Sequence, residues 1–497
     1  MRPPFMILHL KNLKRPVSLE NFIISLLMKR AALLTLLFTL SGVPVFGHAI
    51  QSLQEPRREQ LLNGLKILLW NRPGEAQVML KLRIQSGAAF DLEGKAGLMT
   101  LLGDGLFPDP AVRRYVTEDL EGRLEVNTDY DAINVTLTGR AEEFERLVEL
   151  LRNALVSPQL STEVVARLRE ARIKTARETG LAPEMIADRA TAVRLYGTHP
   201  YGRVVNGTPE TLAKIDRPDL LLARERFMNP NNATLVCVGG VEPSRALRTF
   251  RQFLGVWRRS ERIVPSTFRQ PSAPDPRTLI VDQPGAPDAA VRLAARGLAR
   301  TDRDLPSAML LAALVRERLR ASVPELKESA LSVRHDAYST GGTFRISAAV
   351  RSTASVAGAL DSMRKVLQLL VSAPPSVTEL ESAKRDQMAI LNQGLEKPEA
   401  IAETWLDAET YAATSTSIGD LPRAINALRP EDVQLVAARL FRDTPLATVA
   451  VGDATKLRAE LARAGDVEVL GAGAIKEAKP APATNQQRPP SLPLKRP

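Results

Sequence analysis

Residues 65–87 have the sequence LKILLWNRPGEAQVMLKLRIQSG, in which two apolar, strand-like runs flank Pro73-Gly74. A similar stretch, TLIVDQPGAPDAAVRLAARG, occupies residues 278–297, and its Pro284-Gly285 lies 211 positions further along the chain. Three more landmarks recur at nearly this spacing: INVTLTG from Ile133 and FRISAAV from Phe344, Thr162-Glu163 and Thr378-Glu379, and Thr234 and Thr448. Four landmarks at nearly one spacing predict that the chain contains an internal duplication.

The two copies present the same order of predicted elements. Two strands precede a helix such as KAGLMTLLGDGLF, and an alternating hairpin, amphipathic helices and a last strand follow. This order predicts an α+β protein with two homologous halves, each a mainly antiparallel sheet with helices packed on one face. The predicted halves are 55–257 and 278–470, joined by a polar, proline-rich linker at 258–277 and followed by a disordered, proline-rich tail at 471–497.

The formal charge of +11 lies mostly at the two ends of the chain. Residues 1–30 carry a net charge of +5 and residues 476–497 a net charge of +4, so only +2 of the +11 lies between them. Aromatic residues make up only 4% of the sequence. A nearly neutral body with few aromatic side chains lacks the basic stripe and the stacking platform of a nucleic-acid-binding protein, so we expect no nucleic-acid partner.

The N-terminal residues have the pattern of a secretory signal. From Met28, two basic residues precede an apolar stretch that ends in the small-x-small tripeptide Gly47-His48-Ala49. We therefore predict that residues 1–49 contain a signal peptide behind an over-extended start, with the true start near Met28, and that the chain is exported to the periplasm. An uncleaved N-terminal anchor is the alternative. The rest of the sequence contains no stretch apolar enough to span a bilayer.

Cysteine and histidine are scarce. Cys237 is the only cysteine, so no internal disulfide is possible, and its apolar surroundings, ATLVCVGG, predict a buried, inert thiol. Beyond the predicted signal, only His199 and His335 remain. Because zinc sites and catalytic triads draw heavily on histidine, this scarcity narrows the possible enzymes.

Several segments, in order and spacing, resemble the M16 peptidase family, the pitrilysin-like or inverzincin peptidases and their processing-peptidase relatives. The segments are NGLKILLWNRP, SGAAFDLEGKAGLMTLL, RLYGTHPYGRVVNGTPETLAKI and FMNPNNATLVCVGGV. The resemblance covers most of residues 55–470 and implies the LuxS/MPP-like metallohydrolase fold. In active members, one helix carries the motif His-x-x-Glu-His, whose two histidines bind zinc and whose glutamate activates water.

The residues at the motif positions differ from those of active members. Within GLMTLLGDGLF (97–107), Thr100 and Asp104 stand at the two histidine positions and Gly103 at the glutamate position. The third ligand of active members is a glutamate further along, near which Glu170 and Glu178 stand. Because zinc needs three protein ligands, usually with imidazole among them, we predict no catalytic residue and no metal in this chain.

The resemblance also implies a partner, because inactive M16 chains commonly pair with active ones. The expected partner is an M16 subunit with an intact His-x-x-Glu-His motif, which would hold the zinc. In such pairs the inactive chain is thought to supply an arginine and a tyrosine to the peptide substrate. Arg318 (or Arg320) and Tyr338 are the candidates here, although residues 298–340 contain no glycine, so the glycine-rich loop expected nearby is missing.

Two other segments have counterparts in the family. The strand LEVNT (124–128), with Leu124 and Asn127, resembles the edge strand along which active members bind peptide by strand addition. An ordinary hairpin strand is the alternative for this segment. The segment HPYG (199–202) predicts a structural turn, because proline and glycine favour turns.

Three functions follow as hypotheses. The first is an exported subunit without zinc that pairs with an active M16 chain in peptide or protein degradation or processing, and that is not an enzyme by itself. The second is a non-proteolytic scaffold or peptide-binding protein built on the same fold. The third is a zinc peptidase with displaced ligands.

Overall fold

The computed structural model describes residues 55–157, 159–261, 268–322, 331–351, 355–395, 397–411 and 420–475. The predicted signal segment, part of the linker and most of the tail therefore lie outside the described residues. No helix in the described ranges is both long and apolar enough to cross a membrane.

The first half of the described chain forms strands and helices in the predicted order. Its elements are β1 Arg57–Gln60, β2 Lys66–Asn71, β3 Gln77–Ile84, α1 Leu98–Asp104, α2 Pro110–Glu118, β4 Arg123–Thr128, β5 Ile133–Arg140, α3 Phe144–Val156, α4 Thr162–Thr179, α5 Pro183–Tyr196, α6 Pro209–Leu212, α7 Arg217–Phe227, β6 Ala233–Gly239 and α8 Pro243–Leu254.

The second half repeats the plan with a single long helix in place of α1 and α2. Its elements are β7 Thr278–Asp282, β8 Ala289–Gly297, α9 Leu305–Ser322, β9 Ser332–Ala337, β10 Gly342–Val350, α10 Val356–Ser372, α11 Val377–Leu395, α12 Pro398–Tyr411, α13 Leu421–Ala427, α14 Pro430–Phe441, β11 Ala447–Gly452, α15 Ala454–Leu461 and β12 Val467–Gly471.

Within the described residues, each half builds one six-stranded sheet. The strand orders are β1-β2-β6-β3-β5-β4 and β12-β7-β11-β8-β10-β9, so five strands occupy equivalent places in the two sheets. Only the β2–β6 pair of the first sheet is parallel, whereas in the second the β11–β7 and β12–β7 pairs are parallel. The α+β fold class, with two similar, mainly antiparallel sheets, is therefore confirmed.

Each sheet buries one face under helices of its own half. In β3, Val78, Leu80, Leu82 and Ile84 alternate toward a core that also holds apolar residues of α1, α3 and α7. This alternation is the period of two that a strand with one face on the core requires.

The opposite face of each sheet is covered by a helix from the other half, an exchange that the sequence did not predict. Ile186, Ala187 and Ala190 of α5 pack with Leu279, Val281, Val449 and Val451 on the second sheet. In the reciprocal contact, the Trp405 ring of α12 lies 5.6 Å from the Trp70 ring of β2, edge to face. The two exchanged helices begin at equivalent positions, since Pro183 and Pro398 are 215 residues apart.

Equivalent ion pairs accompany the exchange. Lys81 of β3 pairs with Glu403 of α12, and Arg292 of β8, 211 positions after Lys81, pairs with Asp188 of α5 at 2.6 Å. In the first half, Arg83 adds a contact to Asp407 at 2.7 Å. These pairs join a strand of one half to a helix of the other.

The predicted linker and tail are only partly described. Residues 258–261 and 268–277 contain neither helix nor strand. The prediction that the disordered tail begins at residue 471 is wrong for its first residues. A short turn at Ala472–Ala474 leads to Ile475, which is buried beside Val281 and Val449, because this apolar side chain has a sheet face available.

Candidate functional site

Helix α1 carries the degenerate motif positions, and a buried carboxylate anchors its first turn. Asp91 accepts hydrogen bonds from the backbone N–H groups of Gly97 and Met99, both at 2.7 Å. Such N–H groups have no carbonyl partner within their own helix. Asp91 stands six residues before Gly97, outside the usual capping position, so this anchor could not be predicted from the sequence.

Gly97 is required at the start of this helix. Its φ of +92° is left-handed, and a Cβ there would lie 2.8 Å from Leu212 Cδ2 and 3.0 Å from Gly207 Cα. We expect Gly97→Ala to lower the free energy of unfolding by about 2–4 kcal/mol, because backbone strain and overpacking add. Urea denaturation measures the change.

Gly74→Ala is the matched control, because Gly74 has a similar φ of +86° but nothing within 4 Å of the added Cβ. We expect a loss of only about 1 kcal/mol for that variant, from strain alone. Equal losses for the two variants would show that close packing around Gly97 contributes nothing.

The first two motif positions are used for packing. Thr100 is 3% exposed, and its Oγ1 donates a hydrogen bond to the Val205 carbonyl at 2.7 Å. A Cβ on Gly103 would lie 3.1 Å from Thr128 Oγ1 and 3.3 Å from Val126 Cγ1, so the helix passes close to β4 at this point. A larger side chain at position 103 would therefore require the Thr128 and Val126 side chains to shift.

The third motif position forms an ion pair. Asp104 Oδ2 and Oδ1 accept hydrogen bonds from Arg172 Nε at 2.5 Å and from Nη2 at 2.7 Å, a two-point contact between α1 and α4. The hydrogen bond to Asp104 also raises the pKa of Arg172. The Asp104 carboxylate, which would have to bind a metal, is therefore already paired with the Arg172 guanidinium. The sequence pattern points only to acidic residues on α4 as neighbours of the motif, so it does not identify Arg172.

Glu170 and Glu178 do not join this pair. Both are exposed, and Glu178 lies 4.0 Å from Lys174 of its own helix. Positions two apart on a helix face different directions, so Glu170 points away when Arg172 faces Asp104. In the part of the chain that the structure describes, no three His, Cys, Asp or Glu side chains converge to hold a metal ion. The residues at the motif positions do not fit zinc.

The two histidines accept hydrogen bonds from backbone amides. His199 Nδ1 accepts from Tyr201 N at 3.2 Å, within the predicted turn that is confirmed at Pro200–Gly202. His335 Nε2 accepts from Leu298 N at 2.8 Å. Burial lowers the pKa of each histidine to about 4, so both are uncharged at neutral pH.

The thiol of Cys237 is buried, as predicted. Burial raises its pKa to about 12, which leaves almost no thiolate at neutral pH.

Arg318, a candidate for substrate binding, contacts a glutamate of its own half. Its Nε and Nη2 donate to Glu379 at 2.9 and 3.2 Å, joining α9 to α11. Glu379 also accepts from the backbone N–H of Ser376 at the start of α11. Arg318 thus joins α9 to α11, as Arg172 joins α4 to α1 in the first half, but at a different place on the helix, since Glu379 is the counterpart of Glu163.

We expect the Arg318–Glu379 pair to make part of the stability pH-dependent. The Arg318 hydrogen bond lowers the pKa of Glu379 from 4.5 to about 2, so its stabilisation is complete above pH 4.5 and disappears as the pH falls toward 2. Glu379→Gln should therefore be less stable than the parent at pH 7, and the difference should shrink by pH 3.5. Urea titrations at both pH values test this, and an unchanged difference would contradict it.

Tyr338 packs at the junction of the halves. Its ring lies 5.0 Å from that of Tyr130 and 4.8 Å from that of Tyr201, and burial raises its pKa. Tyr201 accepts hydrogen bonds from Thr340 N at 3.2 Å and from Thr340 Oγ1 at 3.0 Å, which closes the cluster. Tyr338 also lines a cavity of about 270 Å³ between the halves. Arg318 and Tyr338, the two substrate-binding candidates, therefore contact different residues.

Strand β4, with Leu124 and Asn127, lies at the outer edge of the first sheet, as predicted. Leu124 is buried and Asn127 is exposed. The Leu124 carbonyl accepts a hydrogen bond from Arg113 Nη1 of α2 at 2.7 Å. Part of this edge is therefore held by the chain itself.

Comparison with known proteins supports the fold described above. A family model described as "Peptidase M16 inactive domain" matches residues 214–386. Mitochondrial cytochrome b-c1 complex subunit 1 from Mus musculus is 23% identical over 226 residues, which cover 44% of this chain and 46% of that protein. The match thus spans less than half of the length of this curated relative.

Two solved structures share the fold over four fifths of the chain. A protease from Helicobacter pylori has a TM-score of 0.75 and 18% identity, covering 80% of this chain and 100% of that one. A peptidase M16 inactive domain from Pseudomonas fluorescens has a TM-score of 0.71 and 19% identity, covering 80% and 98%. The resemblance inferred from the sequence is therefore confirmed: the chain has the fold of these structures and matches the M16 inactive-domain model over residues 214–386, and its sequence contains no His-x-x-Glu-His motif.

Proposed function

We propose that this protein is an exported M16 subunit that has no zinc site of its own and acts beside a second M16 chain with an intact His-x-x-Glu-His motif. The pair would degrade or process peptides or proteins. The observation that carries the proposal is the Asp104–Arg172 ion pair at the zinc position of a retained M16 fold. Hydrolysis would then depend on zinc and a general base in the partner.

A non-proteolytic scaffold or peptide-binding protein is the second candidate. It is favoured by the curated relative, which is named as a subunit of the cytochrome b-c1 complex. A zinc peptidase with displaced ligands has less support, because the described residues offer no group of three ligands.

Export rests on the N-terminal sequence alone. If the signal is cleaved after Ala49, the mature protein isolated from the cell envelope should begin at Ile50. N-terminal mass spectrometry of the native protein tests this. A native protein that still begins at or before Met28 and fractionates with the cytoplasm would refute export.

The pairing is tested by reconstitution. We expect the chain, tagged and expressed with an M16 chain from the same genome that carries the intact motif, to form a stable two-chain complex that cleaves peptides. Each chain alone should be inactive or much slower. A matched control replaces the motif glutamate of the partner by glutamine, which should abolish cleavage without dissociating the complex.

Two results would count against the pairing. A chain that stays monomeric beside this partner would contradict it. A complex that forms but has the same activity as the partner alone would favour the scaffold.

A further inference from the structure

A pocket of about 280 Å³ opens beside the degenerate motif, between α2 and α4. Phe107 and Leu168 contribute to its apolar wall, and Asp104, Arg113 and Arg172 are its charged lining residues. The pocket therefore combines an apolar wall with two guanidinium groups and one carboxylate.

The positive charge of the pocket is only partly compensated. Asp104 uses both oxygens on Nε and Nη2 of Arg172, which leaves Nη1 without a protein hydrogen bond among the described residues, and the Arg172 side chain stays 27% exposed. Arg113 donates through Nη1 to the Leu124 carbonyl, and no described carboxylate lies within 4.0 Å of it. One net positive charge remains, with N–H donors facing solvent.

The pocket lies next to the free edge of β4. Asp104 follows Gly103, whose nearest neighbours are Thr128 and Val126 of that strand, and Arg113 holds the carbonyl of Leu124. In the described part of the chain, β4 pairs only with β5, so its other edge has backbone groups that an extended peptide could pair with.

We propose that this pocket binds a carboxylate of an extended peptide that lies along β4, with Arg113 and Arg172 as the donors. Guanidinium groups bind carboxylates through short, charge-assisted hydrogen bonds, and an apolar wall strengthens them by excluding water. The inference deepens the proposed role in peptide handling and rests on it, but it concerns binding by this chain alone.

Two sources could supply the carboxylate: the C-terminus of a peptide, or the side chain of an aspartate or glutamate. A short labelled peptide ending in a free acid, the same peptide as a C-terminal amide, and the amide with one internal glutamate distinguish them. Fluorescence anisotropy with the purified chain measures each dissociation constant.

We expect a carboxylate-bearing peptide to bind about tenfold more tightly than the neutral amide, and this advantage to fall as salt is added. A preference for the free acid identifies the terminus as the source, and an equal gain from internal glutamate identifies the side chain. Equal affinities for all three peptides would overturn the proposal.

Arg113→Gln should remove most of the tenfold preference, because it deletes one of the two proposed donors at an exposed helix position. Arg114→Gln is the matched control, since Arg114 is the next residue on the same exposed helix but does not line the pocket. An unchanged preference in Arg113→Gln would contradict the assignment.

Arg172→Lys provides a second test, because it keeps the charge beside Asp104 but removes the fork of donors. We expect it to weaken carboxylate binding while circular dichroism stays unchanged. These measurements use no partner chain, so a failed reconstitution would not alter their outcome. If the parent chain forms an active pair but shows no preference for carboxylate-bearing peptides, the pocket proposal alone is overturned.

Discussion

Replacing Asp407 by leucine is expected to lower the free energy of unfolding by about 3–5 kcal/mol, because the buried Arg83 then keeps only the more exposed Glu403 as a carboxylate partner and Arg300 loses Asp407 as well. Asp407 is 8% exposed, and its Oδ1 lies 2.7 Å from Nη1 of Arg83, which is 3% exposed. Its other oxygen pairs with Arg300. Arginine stays charged at any pH at which the protein is folded. Removing Asp407 therefore leaves the charges of Arg83 and Arg300 less well compensated.

The change can be followed through two tryptophans. Trp70 and Trp405 touch across the same boundary between the halves, so their fluorescence during urea denaturation reports on separation of α12 from the first sheet. We expect the midpoint of this transition to fall in the Asp407→Leu variant.

Glu409→Leu is the matched control on the same helix. Glu409 pairs with Arg58 and Lys66, whose side chains are largely exposed, so we expect a loss of less than about 1 kcal/mol. A double variant, Arg83→Leu with Asp407→Leu, should recover part of the stability lost in Asp407→Leu, because the buried cation is removed with its partner. If Asp407→Leu were as stable as Glu409→Leu, the buried ion pair would not hold the halves together.

The fold was predictable because its signals are local or repeated. The alternation of residues in β3 and β5 and the Pro-Gly turns can each be recognised in a short stretch of sequence. Each pattern also recurs 211 residues later in the second half, which strengthens the prediction. The exchange of α5 and α12 was not predictable, because an apolar helix face such as Ile186, Ala187 and Ala190 does not specify which sheet it covers.

The site was predictable only where residue type excludes chemistry. Thr100 and Gly103 cannot bind zinc wherever they lie, so their identity was informative without a structure.

The partner of Asp104 required three-dimensional information. Helix α4 carries Arg167, Arg169, Arg172 and Arg177, and only the packing of α4 against α1 selects Arg172. Arg318 illustrates the same limit, since its pairing with Glu379 crosses 61 residues.

Rebuilding the zinc motif by Thr100→His, Gly103→Glu and Asp104→His together is expected to destabilise the protein and to fail to bind zinc. Loss of the Thr100 hydroxyl would leave the half-buried Val205 carbonyl without this hydrogen bond, and the glutamate would have to displace the side chains of Val126 and Thr128. The loss of Asp104 would also leave Arg172 uncompensated beside the intended metal. Together these changes should cost about 4 kcal/mol or more, with overpacking and the unpaired charge as the main terms.

A fourth change separates the charge effect from simple unfolding. Adding Arg172→Glu to the triple variant removes the cation and supplies a carboxylate on α4, which completes a set of three ligands. We expect the quadruple variant to bind more zinc than the triple variant and to be stabilised by it, because a metal that binds only the folded state raises stability. Plasma mass spectrometry of zinc per chain and thermal melts with and without chelator measure both effects. Stoichiometric zinc in the triple variant would contradict this expectation, because it would show that Arg172 is no obstacle to the metal.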